Sequence, residues 1–103
     1  MAPTATQTNI YGDVESPEDI RKINRQIREQ MERVRERDDL TELKKRSDYL
    51  CALAMAPSWR TKFGSKIDKV WRAARDEDRK TTDLANRLAR QHGWEADYGP
   101  WGR

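Results

Sequence analysis

One cysteine and one histidine are the side chains of this 103-residue chain best suited to nucleophilic or acid–base chemistry. Such a site needs a nucleophile beside its base, or two carboxylates held in one cleft. Cys51 lies in an apolar run, where a cysteine is typically a buried small hydrophobic residue. His92 lies in the last turn of a predicted helix, where a cationic or polar side chain interacts favourably with the helix dipole. We therefore expect no catalytic residue and no enzymatic activity.

Metal and nucleotide sites lack their usual sequence patterns as well. A single histidine and a single cysteine give no ligand cluster at zinc spacing. The carboxylate run Asp76-Glu77-Asp78 has no loop that would wrap a calcium ion, so we expect a solvent-exposed helical face there. The five glycines form neither a GxGxxG motif nor a phosphate-binding loop. The sequence predicts no metal, no cofactor and no small-molecule substrate.

The sequence also favours a cytoplasmic location. A lone cysteine cannot form a disulfide within the chain, which fits a reducing compartment. The N-terminal segment has neither the basic start nor the apolar stretch of a secretory signal. The longest apolar run, residues 49–57, is shorter than the roughly 20 residues that cross a bilayer. We expect no association with membranes.

Periodic apolar residues predict an all-α fold. Ser16-Pro17 is a helix start, because serine can cap the first turn and proline is tolerated there. The first helix is predicted to continue to about Arg37, since its apolar residues recur every three or four positions. These residues are Ile20, Ile23, Ile27, Met31 and Val34.

A second helix is expected to restart at Asp38-Asp39, where Asp39 and Glu42 have capping-box spacing. Its last two turns, residues 49–56, are apolar nearly all round and are predicted to form the centre of the core. Pro57 ends this helix, because the residue before a proline is disfavoured in helical conformation.

The third helical segment follows, capped by Ser58 and ending at His92-Gly93. It forms one long helix or two. Gly64-Ser65 and the carboxylate run near Glu77-Asp78 are the two places where we expect a break.

These elements predict a helical hairpin with a long third helix packed along it, either a three-helix bundle or a helical dimer with coiled-coil-like packing. The expected domain spans residues 16–93, between a flexible N-terminal tail, 1–15, and an aromatic C-terminal tail, 94–103, that is folded back or free. Isoleucine, leucine, valine and phenylalanine make up only 15 of the 103 residues, so we expect a homo-oligomer or a partner surface to stabilise the fold. The predicted core comprises Ile20, Ile23, Ile27, Met31, Val34, Leu40, Leu43, Leu50, Leu53, Ala54, Trp59, Phe63, Ile67, Val70, Ala74, Leu84 and Leu88.

Charge is distributed unevenly although the net charge is only +3. Residues 20–37 carry seven basic residues and three acids, and residues 58–75 carry six basic residues and one acid, Asp68. The basic side chains of the second block are predicted to project away from the apolar stripe, where they could contact phosphates. These candidate phosphate contacts are Arg60, Lys62, Lys66, Lys69, Arg72 and Arg75.

Four aromatic residues are candidate anchors for a partner protein: Trp71, Trp94, Tyr98 and Trp101. Trp71 flanks the main stripe of the third segment, and the other three lie in the C-terminal tail, where packing on the bundle is the alternative. We therefore expect a non-catalytic interaction protein, a small accessory, adaptor or inhibitory subunit of bacterial or phage type, that binds another protein or itself. The alternative is a helical nucleic-acid-binding regulator that uses the two basic blocks.

Overall fold

Four α-helices form the part of the chain described by the computed structural model, residues 14–102. Their bounds are α1 Pro17–Met31, α2 Arg37–Met55, α3 Pro57–Phe63 and α4 Ile67–His92, with a 3-10 turn, Gly64–Lys66, between the last two. The three long helices α1, α2 and α4 pack against each other, and the short α3 joins α2 to α4. The predicted all-α three-helix bundle is thus confirmed, and its third segment is two helices.

The predicted continuation of the first helix to Arg37 is wrong. α1 ends at Met31, and a turn closes with a 3.3 Å hydrogen bond from the Val34 N–H to the Met31 carbonyl. Val34 nevertheless stays half-buried against the core, which explains why its position fits the apolar period. α2 restarts at Arg37 rather than at the expected Asp39, with Asp38 and Asp39 as acids in its first turn.

Glycine and proline end the helices where the sequence predicts, and α1 begins at the predicted Ser16-Pro17 with Ser16 in the N-cap position, whereas the predicted Ser58 cap is wrong. Pro57 occupies the first position of α3, Ser58 lies inside that helix, and Ser16 makes no side-chain capping bond to α1. Gly64 has a φ of 56° and ends α3. Gly93 has a φ of 74°, and the Trp94 N–H beyond it bonds to the Ala89 carbonyl at 2.9 Å, so α4 ends in a Schellman-type turn.

The buried apolar residues form two clusters, one towards each end of the bundle. The first cluster comprises Val14, Ile20, Leu50, Cys51, Ala54, Trp59, Phe63, Val70, Ala73 and Ala74. The second cluster comprises Ile27, Met31, Leu40, Leu43, Leu84, Ala85, Leu88 and Ala89. Four predicted core residues are only half-buried and pack against the edges of these clusters: Ile23, Val34, Leu53 and Ile67.

Parts of both predicted tails lie within the described residues and pack against the helices. Val14 is fully buried in the first cluster, so ordered packing begins before the expected boundary at residue 16. Residues 1–13, which make up most of the predicted N-terminal tail, and residue 103 lie outside the described residues. Residues 94–102 are folded back on the helices, since Trp94 and Tyr98 pack against the second cluster and Trp101 against the first. None of the helices within residues 14–102 is long and apolar enough to cross a membrane.

Candidate functional site

A layer of buried polar residues lies between the two apolar clusters. Each of the three long helices contributes to this layer. Asn24 of α1, Ser47 of α2 and Thr81 of α4 are each fully buried. The Thr81 hydroxyl donates to Asn24 Oδ1 at 3.1 Å. The Ser47 hydroxyl lies 2.8 Å from both Asn24 Oδ1 and Asp78 Oδ1, and it donates to one of them at a time. The layer thereby connects all three long helices.

Lys44 carries its charge into this layer, with only 3% of its surface exposed. Its ammonium donates to Asp48, one turn along α2, and lies 3.4 Å from Asp78 Oδ1 on α4. The pKa of the Asp48 carboxyl is raised to about 6, mainly by burial and also by the neighbouring Asp78, while Lys44 opposes the shift. Buried charges of this kind persist because each has an oppositely charged partner.

The expected solvent-exposed face at residues 76–78 is wrong, since only Asp76 is exposed. Glu77 and Asp78 are 4% and 1% exposed, and Arg28 of α1 donates to Glu77 Oε1 at 2.9 Å. Charge alone suggested an outward orientation. The signal that could have found them is their spacing, because they occupy the same helical stripe as the buried Ala74 and Ala85. The break that the sequence suggested near Glu77-Asp78 is absent, since α4 is continuous from Ile67 to His92.

The folded-back segment 94–102 lies along the adjoining surfaces of α2 and α4, which we call the α2–α4 groove. Asn86 of α4 donates from Nδ2 to the Tyr98 carbonyl and accepts from the Tyr98 N–H, both at 2.8 Å. The Tyr98 hydroxyl is 2.8 Å from Thr41 Oγ1 of α2. Further along, the Trp101 N–H donates to Asp78 Oδ2 at 2.9 Å. The groove therefore holds a segment without regular secondary structure, largely through bonds to its backbone.

The four candidate docking aromatics are half-buried, and the structure brings two of them together. The rings of Trp71 and Trp101 meet edge to face with centroids 5.8 Å apart, and the Arg75 guanidinium is 5.4 Å from the centre of the Trp71 ring. Trp94 lies apart from this pair and stacks on His92 at 4.1 Å. His92 lies in the last turn of α4, as the sequence predicts, and it contacts an aromatic ring there.

A cavity of about 190 Å³ remains beneath the end of the folded-back segment. It lies between the helices and residues 100–102, and its helical walls are Cys51, Arg75, Asp78 and Arg79. The pKa of the Cys51 thiol is raised to about 12, mainly by burial and also by the nearby Asp78. The cysteine stays protonated at neutral pH, so it acts as the buried small residue that the sequence predicts.

The six candidate phosphate contacts are all solvent-exposed, but they lie on three elements. Arg60 and Lys62 are on α3, Lys66 is in the 3-10 turn, and the rest, Lys69, Arg72 and Arg75, are on α4. The Lys62 ammonium donates to the Val14 carbonyl at 2.6 Å and lies 3.5 Å from a Glu15 carboxylate oxygen. Asp68 and Asp76 are exposed on α4 as well, so this surface is less uniformly basic than the sequence suggests.

No group of three histidine, cysteine, aspartate or glutamate side chains in the described range is arranged to hold a metal ion. Three other features are prominent in that range: the Trp71–Trp101 pair, the α2–α4 groove that binds residues 94–102, and the exposed basic surface. Comparisons with protein-family models, curated proteins and solved structures find no match for this chain.

Proposed function

We propose that this chain is a non-catalytic protein-interaction protein, a small accessory, adaptor or inhibitory subunit of bacterial or phage type. The observation that carries the proposal is the half-exposed pair Trp71–Trp101 with Arg75 placed over it, which we call the tryptophan surface. Tryptophan and arginine are the residues most enriched among those that dominate binding energy in protein interfaces. The single buried cysteine, Cys51, fits the cytoplasmic location that we include in the proposal.

Apolar area beside the tryptophan surface supports the same assignment. The end of α2 was expected to form the centre of the core, yet Tyr49 and Met55 are each 50% exposed. Met55 lies one turn after Cys51, which lines the cavity next to Trp101, so it is on the same side of α2. Its exposed side chain extends the apolar area available to a partner at this end of the bundle.

Loss of partner binding by Trp71→Ser or Arg75→Gln would support the proposal. Removing an interface anchor typically costs about 2 kcal/mol, so we expect roughly 30-fold weaker binding to a partner captured from the source cells or to a second copy. Light scattering coupled to size-exclusion chromatography measures self-association directly. Tyr49→Ser is the matched control, because it removes an exposed aromatic ring from a different side of α2. Equal losses in all three variants would contradict the assignment of the surface.

A second candidate, a nucleic-acid-binding regulator, is favoured by the exposure of all six basic side chains between residues 60 and 75. Phosphate contacts by lysine and arginine supply most non-specific affinity for nucleic acids and weaken as salt rises. This function would use α3, the 3-10 turn and the first turns of α4, whereas Trp71 would be peripheral to it.

Charge reversal separates this candidate from the first. The triple variant Lys66→Glu, Lys69→Glu, Arg72→Glu should abolish binding to a labelled DNA duplex measured by fluorescence anisotropy at low salt. The control variant reverses three exposed basic residues outside both basic blocks: Lys45, Arg87 and Arg90. Because both variants change the net charge equally, identical losses would indicate an effect of overall charge and would sink the candidate.

A further inference from the structure

We propose that the α2–α4 groove is a receptor site for a non-helical aromatic segment of a partner protein, and that residues 94–102 occupy it as a built-in competitor. The inference rests on the proposed protein-interaction function and names the chemistry of the partner. The partner segment would carry two aromatic residues three positions apart.

The groove recognises a polypeptide backbone. Asn86 bonds both to the N–H and to the carbonyl of one residue, Tyr98, and Asp78 accepts the N–H of Trp101. Such bonds are available from nearly any extended segment, because every residue except proline offers an N–H and a carbonyl at the backbone. The side chains that make them project from α4, so the geometry does not depend on the segment being part of the same chain.

Two ring positions add selectivity to this backbone recognition. The first ring, that of Tyr98, packs against the second apolar cluster and bonds through its hydroxyl to Thr41. The second ring, that of Trp101, packs on Trp71 and the first cluster. The groove therefore favours aromatic residues at two positions with this spacing.

The chain's own segment fills the groove incompletely. A cavity of about 190 Å³ remains under residues 100–102, where the segment has proline and glycine on either side of Trp101. Arg75 and Arg79 line that cavity, while the Asp78 carboxylate there already accepts bonds from Ser47 and Trp101. A partner segment that also fills this volume would gain contacts that the chain's own segment does not make.

The segment is also poised for displacement. It contains no helix or strand, and its aromatic rings are only half-buried. It is joined to α4 by Gly93, which has a positive φ. Segments of this kind open at lower free energy than the helices that they cover. A partner segment that binds more tightly can replace it without unfolding the bundle.

The test uses the full chain and a fluorescently labelled peptide with the sequence of residues 94–103. In the chain variant Tyr98→Ser/Trp101→Ser, the internal segment loses both rings, and we expect the peptide to bind at least about tenfold tighter than to the unaltered chain, because a tethered competitor has an effective concentration in the millimolar range.

Equal affinity for the unaltered and the ring-deleted chain would overturn the proposal, and so would unchanged binding after Asn86→Ala. A peptide carrying Tyr98→Ser/Trp101→Ser is the control and should not bind. If the ring-deleted chain does not fold, the proposal can still be tested with the unaltered chain by NMR. Excess peptide should then shift the amide signals of Tyr98 and Trp101 to those of a detached segment. Loss of partner binding by Trp71→Ser without any peptide binding would refute the groove assignment and leave the proposed function standing.

Discussion

Replacing Lys44 with methionine removes the ammonium that lies between the half-buried carboxyl of Asp48 and the buried carboxyl of Asp78 in the polar layer. Methionine keeps a similar length and an apolar stem, so the main change is electrostatic. Breaking a buried ion pair by deleting one partner costs about 3–5 kcal/mol, because the remaining charges stay buried without compensation. We expect the free energy of unfolding to fall by that amount at pH 8.

This penalty should depend on pH in a defined direction. The pKa of Asp48 is raised to about 6 even though Lys44 lowers it. Removing the Lys44 ammonium should therefore raise the pKa of Asp48 above 6. The variant can then neutralise one carboxyl by binding a proton, and proton uptake becomes easier as the pH falls. The loss of stability caused by Lys44→Met should therefore be smaller at pH 5 than at pH 8.

Urea denaturation followed by circular dichroism at both pH values measures these differences. Lys45→Met is the matched control, because the Lys45 side chain is 68% exposed and lies 3.8 Å from Glu42. A surface pair of this type contributes about 0–1 kcal/mol. A loss below about 1 kcal/mol for Lys44→Met at pH 8, or equal losses at pH 5 and pH 8, would refute the electrostatic account of the polar layer.

Three further predictions follow from other contacts. The folded state binds a proton on Asp48 more tightly than the unfolded chain does, since its pKa is raised from 3.8 to about 6, so this group lowers stability as the pH rises through that interval. With its side chain 32% exposed, the effect is about 1–2 kcal/mol after allowance for screening, and denaturation of Asp48→Asn across that range should show a flatter pH dependence than the unaltered chain. Asn86→Ala should accelerate hydrogen exchange of the Tyr98 amide by about 30-fold, because two hydrogen bonds of about 1 kcal/mol each are lost, while the Leu50 amide in the core is unaffected. Gly93→Ala should cost about 1 kcal/mol in a thermal melt, since an added Cβ meets no atom within 4 Å and only the positive φ of 74° is unfavourable; a stabilised variant would contradict this.

The long helices were predictable because their stripes are buried as the apolar period requires. Ile20, Ile27, Leu50 and Val70 are all at most 4% exposed. The end of α1 was not predictable from that period, because Val34 packs against the core from a connecting turn as well as it would from a helix. Periodicity reports which residues face the core, and it does not report whether the backbone between them is helical.

The candidate site was predicted only as a set of residue types. The aromatic residues suggested contacts, but the edge-to-face pairing of Trp71 with Trp101 depends on how the segment folds back over α2 and α4. The role of Asn86 gave no sequence signal, since an asparagine on an exposed helical position is ordinary. Asp78 was predicted to be exposed, because the sequence does not show that Lys44 and Ser47 lie beside it in the fold. These two partners make its burial possible.

The polar layer also fixes the register of the bundle. Apolar helix faces are nearly interchangeable from one turn to the next, so two purely apolar helices can slide by a turn at modest cost. Sliding α4 by one turn along α2 would place Asp78 among apolar residues and leave Lys44 without its partner across the interface. Because Asp78 also accepts the Trp101 N–H, the interaction that aligns the helices sets the position of the segment lying over them. A substitution that permits such a slide would therefore alter the geometry of the α2–α4 groove even if every residue lining it were unchanged.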